Sequence, residues 1–134
     1  MGRYDVAYGY TRELPDTSVA EAVRRVTEAL KSEGFGVLTS IDLKDTLHKK
    51  IGVDIPELVI LGACNPQLAH RALTAERGVT LLLPCNVTVG AGDSGQAVVQ
   101  MIRPQPMFDM VNNPALAPVV EEADQRLRNA LAKV

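Results

Sequence analysis

The stretch that decides the fold is residues 58–66, which read Leu-Val-Ile-Leu-Gly-Ala-Cys-Asn-Pro. The continuous apolar run at its start is typical of a buried strand. Asn65 is a favoured N-cap, and Pro66 suits the first helical position because its missing N–H would find no partner there. We therefore predict a buried strand beginning at Leu58, followed by a helix that begins at Pro66 and ends at Gly78.

Upstream of this stretch, the sequence predicts two strands and two helices. Residues 4–11 alternate between apolar and polar side chains, which indicates a half-buried antiparallel strand. A capping box opens a helix over residues 18–33, whose apolar side chains recur at helical spacing. A strand over residues 35–41 follows, and a short amphipathic helix then runs from the capping residue Asp42 to Gly52.

Downstream, the pattern changes from alternating elements to a hairpin. Residues 81–89 are predicted as a strand that Pro84 interrupts, because proline cannot donate to the ladder. A glycine-rich loop over residues 90–95 leads to a return strand over residues 97–102. A proline-rich irregular crossing then leads to a last helix that starts near Pro118. The resulting order, β-α-β-α-β-α-β-β-α, indicates an α+β fold with helices on one face of a mostly antiparallel sheet.

Size and charge narrow the class of protein. The 134 residues fit one domain, residues 1–134, with 46% hydrophobic residues to build a core. A net charge of −2, from 14 basic and 16 acidic residues, argues against a nucleic-acid partner. No apolar run approaches the roughly 20 residues of a membrane span. The N-terminus lacks the apolar region of a secretory signal. We therefore expect a cytoplasmic protein without a membrane or nucleic-acid partner.

Two cysteines, each followed by an asparagine, carry the strongest chemical signal. Cys64 precedes a predicted helix N-terminus, where the helix dipole is expected to lower the pKa of its thiol. If the strands that hold Cys64 and Cys85 are close neighbours, their thiols would meet, with His70 about one helical turn away. The candidate ligand-binding residues are Cys64, Asn65, Cys85 and Asn86, and the candidate metal ligands are Cys64, His70 and Cys85.

The same residues have plainer interpretations. A free cysteine is often a small buried apolar residue, and the close cysteine pairs that characterise zinc motifs are missing. Asparagines before and within turns often serve as caps. Inert packing, a thiol or metal site, and the wall of a small-ligand pocket therefore all remain open.

Three tyrosines share one face of the predicted first strand. Tyr4, Tyr8 and Tyr10 combine apolar area with a hydroxyl group, so this row could line a ligand groove. The alternative is that the row packs beneath the helices and keeps its hydroxyls at the rim.

Several ordered motifs carry a family resemblance. Residues 34–39, 42–54, 61–66, 68–73 and 82–87 resemble the domain of unknown function 302 family, and the similarity extends over nearly the whole chain. The resemblance implies a TBP-like, helix-on-sheet architecture and a homodimer, and it brings no reaction with it. Arg103 departs from the family pattern, which favours a shorter polar or acidic residue before the following proline.

Two functions from different classes follow. The first is a non-enzymatic, dimeric module that binds a small molecule or ion near Cys64 and Cys85. The alternative is a thiol-dependent redox or metal-handling protein that uses Cys64, Cys85 and His70. A purely structural interaction domain is the third interpretation. The sequence identifies no cofactor and no reaction.

Overall fold

The computed structural model of the protein describes residues 2–134. Its strands are β1 (Gly9–Leu14), β2 (Gly36–Asp42), β3 (Leu58–Cys64), β4 (Cys85–Ala91) and β5 (Ala97–Ile102). Its helices are α1 (Val19–Ser32), α2 (Leu43–Ile51), α3 (Pro66–Ala75), α4 (Pro104–Asp109) and α5 (Ala117–Lys133). Two 3₁₀ segments, Arg77–Leu82 and Pro114–Leu116, follow α3 and precede α5. Among the helices described for residues 2–134, none offers an apolar stretch that would span a lipid bilayer.

The five strands form one sheet in the order β1-β5-β4-β3-β2, and every neighbouring pair is antiparallel. The predicted α+β class, with helices against an antiparallel sheet, is therefore confirmed. The TBP-like label stays an expectation from the resemblance. Strands β1 and β2 form the two edges, while β3 and β4 lie side by side. β3 ends at Cys64 and β4 begins at Cys85, and the predicted approach of the two cysteines requires these two strands to be neighbours.

Helices cover one face of the sheet. The core between them contains fully buried side chains from α1 (Val26), from α5 (Leu127) and from the strands (Val87 and Val99). Because side chains alternate along a strand, the residues next to Val87 on β4 and next to Val99 on β5 point to the opposite face of the sheet. Thr88 of β4 lies opposite Gln100 of β5 on that second face.

The helix ends follow the predicted capping signals. The Ser18 hydroxyl accepts a hydrogen bond from the Glu21 backbone N–H at 3.1 Å, which satisfies a group that no helical carbonyl can reach. The Asp42 carboxylate does the same for Asp45 at the start of α2. Gly52 ends α2 in the left-handed conformation, with φ of 69°.

The predicted first strand is only partly correct. Strand pairing begins at Gly9, and residues 4–8 form turns and irregular chain instead. Side chains hold this segment in place of a backbone ladder: the Tyr4 carbonyl accepts hydrogen bonds from Gln100 Nε2 at 2.7 Å and from the Thr11 hydroxyl at 3.2 Å. We call residues 2–8 the N-terminal strap. The alternating segment is therefore a paired strand only from Gly9 onward.

Two further expectations are wrong after α3. That helix ends at Ala75 and not at Gly78, and Leu81 belongs to a 3₁₀ segment and not to a strand. Because β4 starts at Cys85, opposite Ala63, the chain has to reverse direction soon after α3. The tight 3₁₀ turn makes this reversal and buries Val79.

The proline-rich crossing also differs from expectation, because it contains the short helix α4. Pro104 and Pro106 both lie in its first turn. The N–H groups of a first turn have no helical partner, so two prolines there cost no hydrogen bond. The last helix, predicted to start near Pro118, begins at Ala117.

Candidate functional site

A small apolar cavity lies on the helix-covered side of the sheet, where β3 ends and β4 begins. Its volume is about 40 Å³, and its wall combines strand residues with α3, α4 and α5. Three of the four candidate ligand-binding residues, Cys64, Asn65 and Cys85, line it. The remaining wall is apolar and includes Leu68 and Phe108.

The pairing of β3 with β4 fixes the position of Cys85. Ala63 and Cys85 lie directly opposite each other, and both side chains are buried against the helices. Cys85 retains only 7% exposure, whereas Cys64 is partly exposed. Cys64 follows Ala63 at the last position of β3, just before the cap of α3. Both cysteines are among the residues that line this cavity.

Burial sets the protonation of both thiols. It raises the pKa of Cys64 above its ordinary value, which contradicts the predicted lowering by the α3 N-terminus. It also raises the pKa of the Cys85 thiol to about 11, with a smaller contribution from the negative charge that Cys64 would carry. Apolar surroundings disfavour the thiolate, and no cation opposes this effect at either residue. Both groups are therefore neutral thiols at neutral pH.

Asn65 acts as the predicted N-cap of α3. Its Oδ1 accepts a hydrogen bond from the Leu68 backbone N–H at 3.1 Å, and the side chain is buried. Its Nδ2 faces Gly34, where an added Cβ would lie only 2.9 Å away. Gly34 has φ of 81°, which disfavours any residue with a side chain. The end of α1 and the start of α3 are therefore closely packed against each other beside the cavity.

Asn86 does not belong to this cavity, so the predicted group of four is divided. It follows Cys85 on β4, and alternation directs it to the opposite face. There it is exposed and lines a separate groove. The Cys-Asn motif led the sequence analysis to place Asn86 beside Cys85 in one site, but a sequence motif takes no account of the alternation of side chains along a strand.

The candidate metal ligands do not form a cluster. Among residues 2–134, no group of three or more histidine, cysteine and acidic side chains could hold a metal ion. His70 is exposed on α3, whereas the buried side of that helix carries Leu68 and Ala72. The geometry therefore groups Cys64 with Cys85 and leaves His70 outside.

The sequence interpretation missed the contribution of α4. Pro104 and Phe108 form part of the cavity wall, but the prolines around them predicted irregular chain. The spacing of four residues between Pro104 and Phe108, one helical turn, was the available signal.

The comparisons with known proteins agree with this architecture. A family model described as "Domain of unknown function DUF302" matches residues 10–134. The chain belongs to the DUF302 family. The crystal structure of an uncharacterized conserved DUF302 protein from Bacillus stearothermophilus is similar to it, with 34% sequence identity and a TM-score of 0.87. The match covers 96% of this chain and 98% of that one. No curated protein matches this DUF302 chain.

Proposed function

We propose that the protein is a non-enzymatic module that binds a small, uncharged and mainly apolar ligand in the cavity lined by Cys64, Asn65 and Cys85. The observation that carries this proposal is the chemistry of the wall. Its thiols are neutral because burial raises the pKa of both, and the Asn65 carbonyl oxygen is already used as a helix cap. The wall offers apolar contact and soft sulfur atoms, and it has no charged side chain.

The size of the cavity limits the ligand. About 40 Å³ is far below the roughly 150 Å³ of an engineered apolar cavity that admits benzene. A ligand of a few heavy atoms fits directly, and a larger one requires part of the wall to move. The element best able to move is α4, since it has six residues and contributes Pro104 and Phe108 to the wall.

The alternative, thiol redox or metal handling, has less support. Nucleophilic attack and metal ligation both use the thiolate. With the pKa of Cys85 raised to about 11, only a small fraction of this thiol is ionised at neutral pH. A reducing cytoplasm, the expected location, would keep both cysteines as thiols. The neutral state favours an apolar ligand over a soft metal ion.

The test uses xenon as an apolar probe and backbone amide chemical shifts as the measurement. We expect xenon to shift amide signals along α3, α4 and the start of β4. Ala72→Val places extra methyl groups in the wall and should abolish these shifts. Ala20→Val, on the exposed side of α1, has the same helix-propensity cost as Ala72→Val but lies outside the cavity. It should therefore leave the xenon-induced shifts unchanged.

An absence of xenon shifts in the unaltered protein would contradict the proposal. The same holds if Ala72→Val binds xenon as well as Ala20→Val does. Thermal unfolding of both variants checks that each is folded. Cys85→Ala supplies a second variant with the opposite effect, because the removed sulfur enlarges the cavity and should strengthen xenon binding.

The module is further proposed to be a homodimer, as the family resemblance implies, with β2 as the contact. β2 is an edge strand that carries no charged side chain before Asp42, and Leu38 and Ile41 are 67% and 46% exposed on it. Such an edge readily pairs with a second chain. The other edge, β1, carries Arg12, which donates hydrogen bonds to carbonyls at the end of α5. β2 is therefore the less protected edge.

Light scattering after size-exclusion chromatography tests this assembly. We expect a dimer that Ile41→Lys converts to a monomer, because a charge then lies in the paired edge. Leu81→Lys changes an apolar residue with 89% exposure away from β2 and should leave the dimer unchanged. A monomer at high protein concentration would contradict the proposal, as would a dimer that survives Ile41→Lys.

A further inference from the structure

A second hollow lies on the face of the sheet that the helices leave uncovered. Its volume is about 170 Å³, which is roughly four times that of the cysteine cavity. We call it the strap groove, because the N-terminal strap forms one wall and strands β4 and β5 form the floor. The side chains that matter here are those of Val6, Tyr8, Asn86, Thr88, Gln100 and Ile102.

The strap wall is fixed by hydrogen bonds to its backbone. Gln100 Nε2 donates to the Tyr4 carbonyl at 2.7 Å, and Arg103 Nη1 donates to the Ala7 carbonyl at 2.8 Å. The Arg103 backbone N–H also donates to the Tyr8 carbonyl at 2.9 Å. Arg103 therefore helps to hold the wall of the groove.

The floor of the groove carries polar groups that the fold does not use. The side chains of Asn86 and Thr88 make no hydrogen bond with any residue from 2 to 134. Gln100 uses its Nε2 for the strap and for Thr11, and its Oε1 remains without a partner in that range. Thr88 and Gln100 are directly opposite each other in the β4–β5 pairing, so their groups converge.

The residues that line the groove are all uncharged. None of its lining residues is acidic or basic, although 22% of the chain is charged. Apolar side chains, Val6 and Ile102, flank the polar floor, and Tyr8 is 62% exposed beside them. Gly9 keeps this end open, since an added Cβ would lie 3.3 Å from both Val6 Cγ2 and the Met101 carbonyl oxygen.

We propose that the strap groove binds a small, neutral, planar ligand that carries an amide edge, such as a lactam or a carboxamide on a ring. The Asn86 amide presents a donor and an acceptor side by side, which complements the acceptor and donor of such an edge. The exposed Tyr8 ring supplies a surface for stacking. The volume is below the roughly 300–1,000 Å³ of pockets for drug-sized ligands, so the groove fits a single ring.

This site is independent of the cysteine cavity. The two sites lie on opposite faces of the sheet. Cys85 and Asn86 are consecutive residues of β4, and the first lines the cysteine cavity whereas the second lines the strap groove. A ligand in the groove therefore contacts none of the residues on which the proposed apolar ligand depends.

The experiment titrates the protein with uracil, a neutral ring with amide edges, and follows backbone amide chemical shifts. We expect saturable shifts in the strap, β4 and β5. Orotate, which adds a carboxylate to the same ring, should bind at least tenfold more weakly, because no residue that lines the groove is basic and the nearby Arg103 guanidinium already donates to the Ala7 carbonyl. Asn86→Leu should weaken uracil binding about tenfold through the loss of two net hydrogen bonds. Tyr8→Ala should weaken it by a similar factor through lost stacking.

Asn86 and Tyr8 are both exposed, so neither variant is expected to unfold the protein. Ala72→Val, in the cysteine cavity, serves as the control and should leave uracil binding unchanged. Uracil that causes no saturable shift would overturn the proposal, as would equal binding of uracil and orotate or undiminished binding to Asn86→Leu. Xenon binding in the cysteine cavity is measured in a separate titration. The proposal for the strap groove can therefore be contradicted while the proposal for the cysteine cavity stands, and the reverse.

Discussion

The ionisation of Cys85 should make the stability of the protein fall steeply at alkaline pH. The pKa of this thiol is raised from 9.0 to about 11 by burial, with a smaller effect from Cys64. In the unfolded chain the thiol releases its proton near pH 9, while the folded protein retains it up to about pH 11. Below pH 9 both states are protonated and the stabilisation is fully present. It is lost as the pH rises through the folded pKa.

The magnitude follows from the size of the shift. Two pKa units correspond to about 3 kcal/mol, at about 1.4 kcal/mol per unit. A domain of this kind has a total stability of about 5–15 kcal/mol, so the ionisation of this single group at alkaline pH would remove a sizeable part of it. Between pH 9 and pH 11, the free energy of unfolding should therefore fall by about 1.4 kcal/mol per pH unit because of Cys85 alone.

Urea denaturation at a series of pH values, in the presence of a phosphine reductant, measures this slope. Cys85→Ala should start from lower stability, because it loses buried sulfur, and then decline less steeply with pH. Other groups that titrate in this range, such as Tyr10 with its raised pKa, are common to both proteins and cancel in the difference. Cys64→Ala should retain most of the slope, since burial is the larger cause. Parallel curves for the unaltered protein and Cys85→Ala would refute the reasoning.

Two further predictions concern the contact between α1 and α3. Asn65→Ala should lower the free energy of unfolding by about 1 kcal/mol through loss of the cap on Leu68, whereas Asn65→Asp retains the acceptor and should cost less; urea denaturation compares them. Gly34→Ala should cost about 1–2 kcal/mol, because a side chain at φ of 81° is strained and its Cβ would approach Asn65. Gly78→Ala, with nothing within 4 Å of the added Cβ, should leave the melting temperature unchanged and serves as the control for Gly34→Ala.

Elements with local signals were predictable from the sequence. Asp42 and Gly52 delimit α2, and Asn65 and Pro66 open α3, as their capping chemistry requires. The strand over residues 97–102 was predicted with its observed bounds. At the ends of α2 and α3 the deciding interaction joins residues within one turn of each other, so the sequence alone contains it. The strand over residues 97–102 pairs with distant segments, but its apolar run and the glycine-rich loop before it are local signals.

Elements that depend on distant contacts were not predictable in the same way. The N-terminal strap is held by Gln100 and Arg103, which are far away in the sequence. The 3₁₀ segment after α3 exists because β4 has to begin opposite Ala63. The pKa of Cys64 depends on the apolar wall around it, and the sequence offered only the nearby helix N-terminus as a guide.

The register of β4 is what keeps the two proposed sites apart. Cys85, Val87 and Val89 face the helices, and Asn86 and Thr88 face the strap groove. A slip of one residue would exchange the two sets. Exposing two valines would cost about 1.5–3 kcal/mol each. Burying an amide and a hydroxyl without partners would cost about 1–3 kcal/mol each. The sum approaches the whole stability of a domain this size, so the core contacts of the valines also determine which side chain lines which site.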